Sequence, residues 1–122
     1  MVIFFDTYAI VEIDTDNPRY RKYVLDSTDA ATTIYNLSEI YFVYLKKFGQ
    51  KEADKIYEIA KGMVVPIDDS IIKEAMKFKL ANLKKRFSFA DCIGYITALK
   101  INAKFITGDY AFKGLENVEF VK

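Results

Sequence analysis

Acidic side chains occur at four separate points of the chain where hydrophobic patterning does not account for them. They are Asp6, Glu39, Asp91 and Asp109. Carboxylates gathered in one place repel each other, because two unit charges about 4 Å apart cost roughly 4 kcal/mol at an effective dielectric of about 20. A divalent cation reverses that repulsion. If folding brings these four acids together, the chemistry that they favour is metal binding.

The residues that the chain lacks narrow the metal and the mechanism. It has no histidine and one cysteine, Cys92. A set of oxygen ligands selects hard cations such as Mg²⁺ or Mn²⁺ over Zn²⁺. Without histidine there is no Ser-His-Asp or Cys-His mechanism and no usual general base at neutral pH. Water activation and stabilisation of phosphoryl charge would then fall to the metal, which predicts a metal-dependent nuclease.

Each acid also has a purely structural explanation. Asp6 can cap the helix that follows it, and Ser88 with Asp91 resembles a capping box whose second residue is usually Glu or Gln. Glu39 can be an acid in a first helical turn, and Asp109 a turn residue. Taken together these explanations are weaker than a shared site, because the predicted elements bring most of the acids to one edge of a sheet.

The elements alternate between strand and helix. Short apolar or β-branched runs predict strands over residues 2–5, 30–35, 63–67, 104–107 and 118–121, with the 63–67 strand outermost because it contains Pro66. Helical spacing and capping residues predict helices over 7–13, 19–25, 36–48, 51–61, 71–80 and 88–101. Asn36 and Ser38 are the expected caps of the third helix, which would put Glu39 in its first turn. Asp68 and Asp69 are interpreted as caps of the fifth helix, with metal binding as the alternative.

This alternation predicts an α/β protein with a mostly parallel five-stranded sheet covered by helices. Such folds place ligands at the carboxyl ends of the strands, near the switch in strand order. Asp6 and Asp109 follow strands directly and Glu39 comes just beyond the second strand, so these three are expected at that edge. Asp91, in the first turn of a helix, is expected to point there too.

Length and composition set the remaining limits. The 122 residues, 52% of them hydrophobic and 29% charged, are expected to form a single domain over 1–122. No apolar stretch approaches the roughly 20 residues needed to span a bilayer, and the N-terminus has no signal-like features, so a cytoplasmic location is expected. Cys92 is interpreted as a small core residue.

A net charge of +1 says little about partners, but the charge is uneven. The segment 73–86 holds six basic residues and one acid, and Lys84, Lys85 and Arg86 end it. Such a run is commonly a solvated helix face, and the alternative is a rim that attracts phosphate. The three terminal basic residues are therefore candidates for RNA contact.

The four acids lie in short motifs: Phe5-Asp6-Thr7-x-Ala9, Asn36-x-x-Glu39, Ser88-x-Ala90-Asp91 and Thr107-Gly108-Asp109-x-x-Phe112. In this order, over the whole chain, they resemble the PIN-domain ribonucleases, particularly the VapC-type toxins of toxin–antitoxin pairs. Where these toxins commonly have a small alanine after the third acid, this chain has Cys92. That difference changes packing beside the site and leaves the acids intact.

The resemblance implies a three-layer α/β/α PIN-like domain with sheet order 3-2-1-4-5. It implies that Asp6, Glu39, Asp91 and Asp109 bind one or two Mg²⁺ or Mn²⁺ ions and that a metal-bound water hydrolyses single-stranded RNA. Thr107, with Thr7 or Ser88, would orient carboxylates or waters. It also implies a homodimer, silenced by an antitoxin whose C-terminal segment lies along the active-site groove.

Two other functions compete with the nuclease. One is a non-catalytic PIN-like module that binds RNA or protein, which the four intact acids disfavour. The other is a phosphoacceptor or phosphatase built on Asp6. A haloacid-dehalogenase-type site would need a second Asp at the position of Tyr8, and a receiver domain would need adjacent acids near the first strand, so both forms of this alternative are disfavoured.

Overall fold

Four parallel strands form one sheet in the computed structural model, which describes residues 2–26 and 29–122 apart from the side chain of Asp26. The strands are β1 (Val2–Phe5), β2 (Asp29–Ala31), β3 (Lys104–Thr107) and β4 (Val118–Phe120). They lie in the order β2-β1-β3-β4, with every neighbouring pair parallel. The chain leaves β1 toward β2 on one side and returns to β3 on the other, so strand order switches between β1 and β3. Ligands of open α/β sheets bind at such a switch.

Six helices surround the sheet in the described part of the chain. They are α1 (Thr7–Asp14), α2 (Arg21–Asp26), α3 (Ile34–Phe48), α4 (Gln50–Lys61), α5 (Asp69–Ala81) and α6 (Phe89–Lys100). Short 3₁₀ helices cover Pro18–Tyr20, Leu83–Lys85 and Tyr110–Phe112. Among the described residues, no helix is long and apolar enough to cross a membrane.

Side chains of the central strands alternate between two buried faces. Phe4 and Phe105 stack with their ring centroids 5.5 Å apart on the face covered by α5 and α6. Ile3, Phe5 and Ile106 point to the opposite face, where they pack with side chains of α1, α3 and α4. A parallel sheet needs apolar residues on both faces because helices cover both. The predicted three-layer α/β/α arrangement is confirmed.

The predicted outermost strand, 63–67, is much shorter than expected. Within the described residues it contributes one bridge, between Thr32 and Val64, outside β2. Its position agrees with the expected order 3-2-1-4-5. The pairing stops there because the neighbouring chain enters α3 just after Thr33, and because Pro66 has no N–H to donate.

Helix α3 begins two residues earlier than predicted. Its N-cap is Thr33, whose hydroxyl oxygen accepts a hydrogen bond of 3.2 Å from the N–H of Asn36. Ile34 and Tyr35 are therefore helical, although their types favour strands, and Glu39 lies in the second turn rather than the first. A local cap has outweighed the weak strand preference of these residues.

Asp68 and Cys92 both have structural roles. The carboxylate of Asp68 caps α5, accepting a hydrogen bond of 2.9 Å from the N–H of Ile71. Cys92 is fully buried in the core on the α6 side, and its burial raises the pKa of the thiol to about 11. Both agree with the interpretation preferred from the sequence.

Candidate active site

The four predicted acids lie at the carboxyl edge of the sheet, around the switch point. Asp6 follows β1, Asp109 follows β3 after one glycine, and Asp91 lies in the first turn of α6. These three line one open cleft of about 480 Å³, which we call the acidic cleft. Glu39, on α3, lines a neighbouring cleft together with Ser88, and its charge raises the pKa of Asp91. The structure thus brings three acids into one cleft and leaves the fourth at its border.

Asp6 is the most buried of the four, with 3% of its surface exposed. One carboxylate oxygen caps α1 by accepting a hydrogen bond of 2.8 Å from the N–H of Ala9. The other accepts a hydrogen bond of 2.5 Å from the hydroxyl of Thr107. Burial, with a smaller contribution from the charges of Asp91 and Asp109, raises the pKa of Asp6 to about 7 against the lowering effect of both hydrogen bonds. The carboxyl of Asp6 therefore stays protonated at pH values where an ordinary aspartate is charged.

Asp91 belongs to a capping box at the start of α6. Its carboxylate accepts a hydrogen bond of 2.8 Å from the N–H of Ser88, whose hydroxyl oxygen accepts one of 3.0 Å from the N–H of Asp91. Burial raises the pKa of Asp91 to about 6, and the charges of Glu39 and Asp109 contribute in the same direction. The structural explanation weighed for this pair is thus correct, and it also fixes the carboxylate at the cleft.

Asp109 caps the short 3₁₀ helix that follows it, through a hydrogen bond of 3.0 Å from the N–H of Ala111. Its own N–H donates a hydrogen bond of 3.0 Å to the hydroxyl oxygen of Thr107. The single Thr107 hydroxyl therefore connects Asp6 with Asp109. This contact agrees with the prediction that Thr107 orients carboxylates.

Glu39 is held by a chain of polar side chains that runs from the half-buried Thr7 to the buried Asn36 and Thr33. The Thr7 hydroxyl donates a hydrogen bond of 2.6 Å to Glu39, and the side-chain amide of Asn36 donates one of 3.2 Å to Thr7. The hydroxyl of Thr33 in turn donates one of 2.7 Å to the side-chain oxygen Oδ1 of Asn36. The role of Thr7 was predicted, and that of Asn36 was missed. The available signal was its spacing, because residues three apart share a helix face.

A glycine allows the cleft wall to close behind Asp109. A Cβ atom on Gly108 would lie 2.2 Å from a ring carbon of Tyr8 and 2.6 Å from the carbonyl oxygen of Val121. Both distances are too short for any side chain. Gly108 therefore lets Tyr8 and the end of the last strand pack directly against the turn that carries Asp109.

None of the four acids forms an ion pair with a lysine or arginine within the described residues. The ion pairs there, Arg21 with Asp16, Lys55 with Glu52 and Lys100 with Glu74, all lie outside the cleft. As the side chains are oriented, no group of three or more acids among residues 2–26 and 29–122 could hold a metal ion. The hydrogen bonds to capping N–H groups and to hydroxyls explain these orientations.

The donor set nevertheless fits a hard cation. Glu39, Asp91 and Asp109 each use one carboxylate oxygen in the hydrogen bonds described above, and in the described structure their second oxygens accept none. All available donors are carboxylate oxygens, which Mg²⁺ and Mn²⁺ prefer. Asp6, Asp91 and Asp109 are the residues that would hold such an ion, with Glu39 at the border.

The rim of the acidic cleft carries residues that the sequence did not single out. Lys47 and Lys122 line it, together with the aromatic side chains of Tyr8 and Tyr110. Lys47 follows Glu39 by eight residues, just over two helical turns. This spacing on one helix face was the sequence signal that could have placed Lys47 near the acids. No comparable signal pointed to Lys122.

The predicted RNA contacts lie elsewhere. Lys84, Lys85 and Arg86 are exposed in and after the 3₁₀ helix that follows α5, and none of them lines the acidic cleft. The ammonium of Lys85 donates a hydrogen bond of 2.9 Å to the carbonyl oxygen of Ala111. It thus contacts the segment that Asp109 caps, and a role for these three residues in RNA binding stays a prediction.

A family model for the PIN domain matches residues 3–118. The chain belongs to the PIN domain family. No curated protein sequence matches it. The acidic cleft of this PIN domain therefore lies at the carboxyl edge of the sheet of a known fold.

Solved structures share the fold of this PIN domain at low sequence identity. A toxin–antitoxin complex from Klebsiella pneumoniae contains a chain with a TM-score of 0.73 and 14% identity, over 96% of this chain and 95% of that one. The sarcin–ricin loop cleaving toxin VapC20 of Mycobacterium tuberculosis has a TM-score of 0.70 and 19% identity, over 93% and 91%. VapBC2 from Rickettsia felis, bound to a DNA fragment from its promoter, has a TM-score of 0.73 and 15% identity over the whole of both chains. At these identities the similarity establishes the fold alone.

Proposed function

We propose that this PIN domain is a Mg²⁺- or Mn²⁺-dependent endoribonuclease that hydrolyses phosphodiester bonds of single-stranded RNA. The observation that carries the proposal is the buried carboxylate of Asp6, which shares the acidic cleft with Asp91 and Asp109 and forms no ion pair among the described residues. Burying charge without a partner is costly, and a bound divalent ion removes that cost.

The protein's own residues have distinct tasks in this reaction. Asp6, Asp91 and Asp109, with Glu39 at the border, would hold the cation. Thr107 keeps Asp6 and Asp109 in register through its shared hydroxyl. When bound, the metal would lower the pKa of a water molecule and stabilise charge on the phosphoryl oxygens. The cleft is open, so the backbone of an RNA strand has access to these carboxylates.

We further propose that the protein is the toxin of a toxin–antitoxin pair. The support is the fold shared with chains of a toxin–antitoxin complex, a VapC toxin and a VapBC assembly. An antitoxin would silence the enzyme by covering the acidic cleft. A homodimer is proposed on the same basis, and the exposed apolar side chains of Leu45 and Phe48 on α3 offer surface for either partner.

A second function stays in contention because of one observation. Asp6, Asp91 and Asp109 all cap helices, so their presence serves the fold even without catalysis. A non-catalytic module that binds RNA or protein could keep them for that reason. Cleavage separates the two functions, whereas RNA binding alone does not.

The deciding experiment compares two aspartates with the same local role. Asp6 and Asp68 both cap helices, and Asn caps nearly as well as Asp, so each Asp→Asn change preserves its helix. Asp6→Asn is expected to slow metal-dependent cleavage of a labelled RNA panel at least about 100-fold, whereas Asp68→Asn keeps the wild-type rate. EDTA is expected to stop cleavage by both the wild type and Asp68→Asn. Equal cleavage by Asp6→Asn, or cleavage in excess EDTA, would overturn the nuclease, and metal binding without any cleavage would favour the binding module.

A further inference from the structure

A cluster of aromatic rings and lysines borders the acidic cleft, and we call it the rim cluster. The rings of Tyr110 and Phe120 lie 5.0 Å apart. The ammonium of Lys122 lies 4.7 Å from the ring centre of Tyr110 and 5.2 Å from that of Tyr8, and the ammonium of Lys113 lies 5.0 Å from that of Phe120. Aromatic rings next to cations are the usual elements of sites that bind single-stranded nucleic acid.

Tyr110 is presented to solvent by a segment that is itself anchored. Its side chain is 62% exposed, whereas Phe112, two residues later in the same 3₁₀ helix, is fully buried and stacks on Phe87 with ring centroids 4.5 Å apart. Asp109, the preceding residue, caps this helix and lines the acidic cleft. The exposed ring is therefore held at a fixed position next to a candidate metal ligand.

We propose that Tyr110 stacks on one unpaired base of the RNA substrate, with Lys122 binding an adjoining phosphate. This inference rests on the proposed function, because it needs RNA in the acidic cleft. It adds a positioning subsite on one side of the cleaved bond. The same base would then occupy a fixed register relative to the carboxylates.

The contacts of the ring favour a base over other ligands. The ammonium of Lys122 now lies over a ring whose face attracts cations. A base can replace the ammonium, because base–aromatic stacking is stronger than an exposed cation–π contact. The flexible lysine stem can then carry its charge to a phosphate. A duplex offers no such base, since its bases are stacked on each other.

The charges of the cleft support the same arrangement. Carboxylates at its floor repel phosphates unless a metal is present, and Lys47 and Lys122 at the rim provide the positive charge that an incoming strand needs. Their place at the cleft distinguishes them from Lys84, Lys85 and Arg86, which do not line it. The rim cluster thus gives the strand a binding site beside the metal ligands rather than at a distance from them.

The test measures binding of a labelled oligouridylate of about ten nucleotides to the Asp6→Asn protein in Mg²⁺, so that cleavage does not interfere. Adding Tyr110→Ala is expected to weaken binding about 10-fold, and Tyr110→Phe to restore it. The matched control is Phe42→Ala: Phe42 is 61% exposed with the Lys46 ammonium 5.4 Å from its ring centre, but it does not line the acidic cleft. This control is expected to bind as tightly as the parent.

The salt dependence of binding distinguishes the contribution of the Tyr110 ring from that of the Lys122 charge. Removing one phosphate contact lowers the slope of log K against log salt by about 0.7 for a single strand. Lys122→Gln is expected to show that decrease, whereas Tyr110→Ala weakens binding with an unchanged slope. Lys46→Gln serves as the control and is expected to leave the slope as it is.

Three results would overturn the inference: unchanged affinity in Tyr110→Ala, equal loss in Phe42→Ala, or a perfect RNA duplex that competes as well as the single strand. The nuclease itself is judged separately, by cleavage with the wild-type protein. Cleavage with unaltered binding by Tyr110→Ala would reject the stacking subsite and keep the enzyme. Binding that depends on Tyr110 without any cleavage would reject the enzyme and keep the subsite.

Discussion

Thr107 lies on β3 and holds the carboxylate of Asp6 at the end of β1, with its hydroxyl oxygen 2.5 Å from the nearer carboxylate oxygen of Asp6. The two residues are 101 positions apart in the chain. The same hydroxyl oxygen accepts the N–H of Asp109, so one buried side chain sets the spacing of two acids. The register of the parallel strands β1 and β3 therefore determines how Asp6 and Asp109 are placed relative to each other.

Replacing Thr107 by Val should separate this role from packing, because the two side chains have nearly the same shape. We expect Thr107→Val to raise the pKa of Asp6 above its value of about 7 and to weaken Mn²⁺ binding about 10-fold or more. Thr107→Ser keeps the hydroxyl and is expected to retain most of the affinity. Calorimetric titration with Mn²⁺ measures the affinities of both variants. Identical affinities in the Val and Ser variants would contradict the assigned role.

The stability of the metal-free protein should fall as pH rises from about 4 to about 7. The pKa of Asp6 is raised from 3.8 to about 7, so between these values the folded state binds more protons than the unfolded state. The stabilisation by the neutral carboxyl of Asp6 is complete below the pKa of the unfolded state and is lost as the pH rises through the pKa of the folded state. The difference between the two pKa values limits this stabilisation to about 4 kcal/mol. Asp91, with a pKa of about 6, acts in the same direction.

Urea unfolding in EDTA at a series of pH values measures this loss. Asp6→Asn is expected to flatten the dependence and to be more stable than the wild type above about pH 7, whereas Asp68→Asn keeps the wild-type curve. Adding Mg²⁺ at 100 times its dissociation constant should restore about 2.7 kcal/mol to the wild type. A wild-type stability that rises through this pH range would show that the burial of Asp6 is not the dominant effect.

Gly108→Ala should damage the site through the backbone. The new methyl would meet Tyr8, which can move, and the Val121 carbonyl oxygen, which cannot move without shifting the last strand. We expect a loss of about 1–3 kcal/mol in the free energy of unfolding, together with weaker metal binding. Gly62→Ala is the control, because its Cβ would lie 3.6 Å from the nearest atom. If both variants unfold at the same urea concentration, the close approach at Gly108 is not limiting.

Asn36→Leu should uncouple Glu39 from its support while keeping the size of the buried side chain. Asn36 is fully buried, and its loss removes one hydrogen bond from each of the hydroxyls of Thr7 and Thr33. We expect a destabilisation of about 1–3 kcal/mol and a decrease of about 10- to 100-fold in the cleavage rate. Ser38→Ala, an exposed neighbour that bonds only the Tyr35 carbonyl oxygen among the described residues, is expected to change neither. Cleavage at the full rate by Asn36→Leu would remove Glu39 or its support from the proposed mechanism.

The parts of the fold that follow from general rules were predictable. Asp6 and Asp109 could be assigned to one edge of the sheet because parallel strands align their carboxyl ends, and apolar runs marked β1 and β3 correctly. The capping box of Ser88 and Asp91 was also readable from spacing. From the sequence, capping and a place in the site are alternatives for Asp91, whereas in the structure the same carboxylate both caps α6 and lines the cleft.

The parts that depend on tertiary context were not predictable. The β-branched run through Ile34 and Tyr35 reads as a strand, and only the cap formed by Thr33 starts α3 earlier. The extent of the 63–67 segment depends on whether its neighbour stays extended, which a local pattern does not contain. Lys122 reaches the acidic cleft because β4 pairs with β3, a contact between segments that have no shared sequence signal.

The cap on α1 gives the site an internal reporter. The N–H of Ala9 lies 2.8 Å from a carboxylate oxygen of Asp6, so its proton senses whether that carboxylate is neutral, charged or bound to a cation. In a nitrogen-15 NMR spectrum the resonance of this one amide should shift with both pH and added Mn²⁺ or Mg²⁺. Occupancy of the cleft can thus be followed in solution on isotopically labelled protein, with no substrate or catalytic turnover.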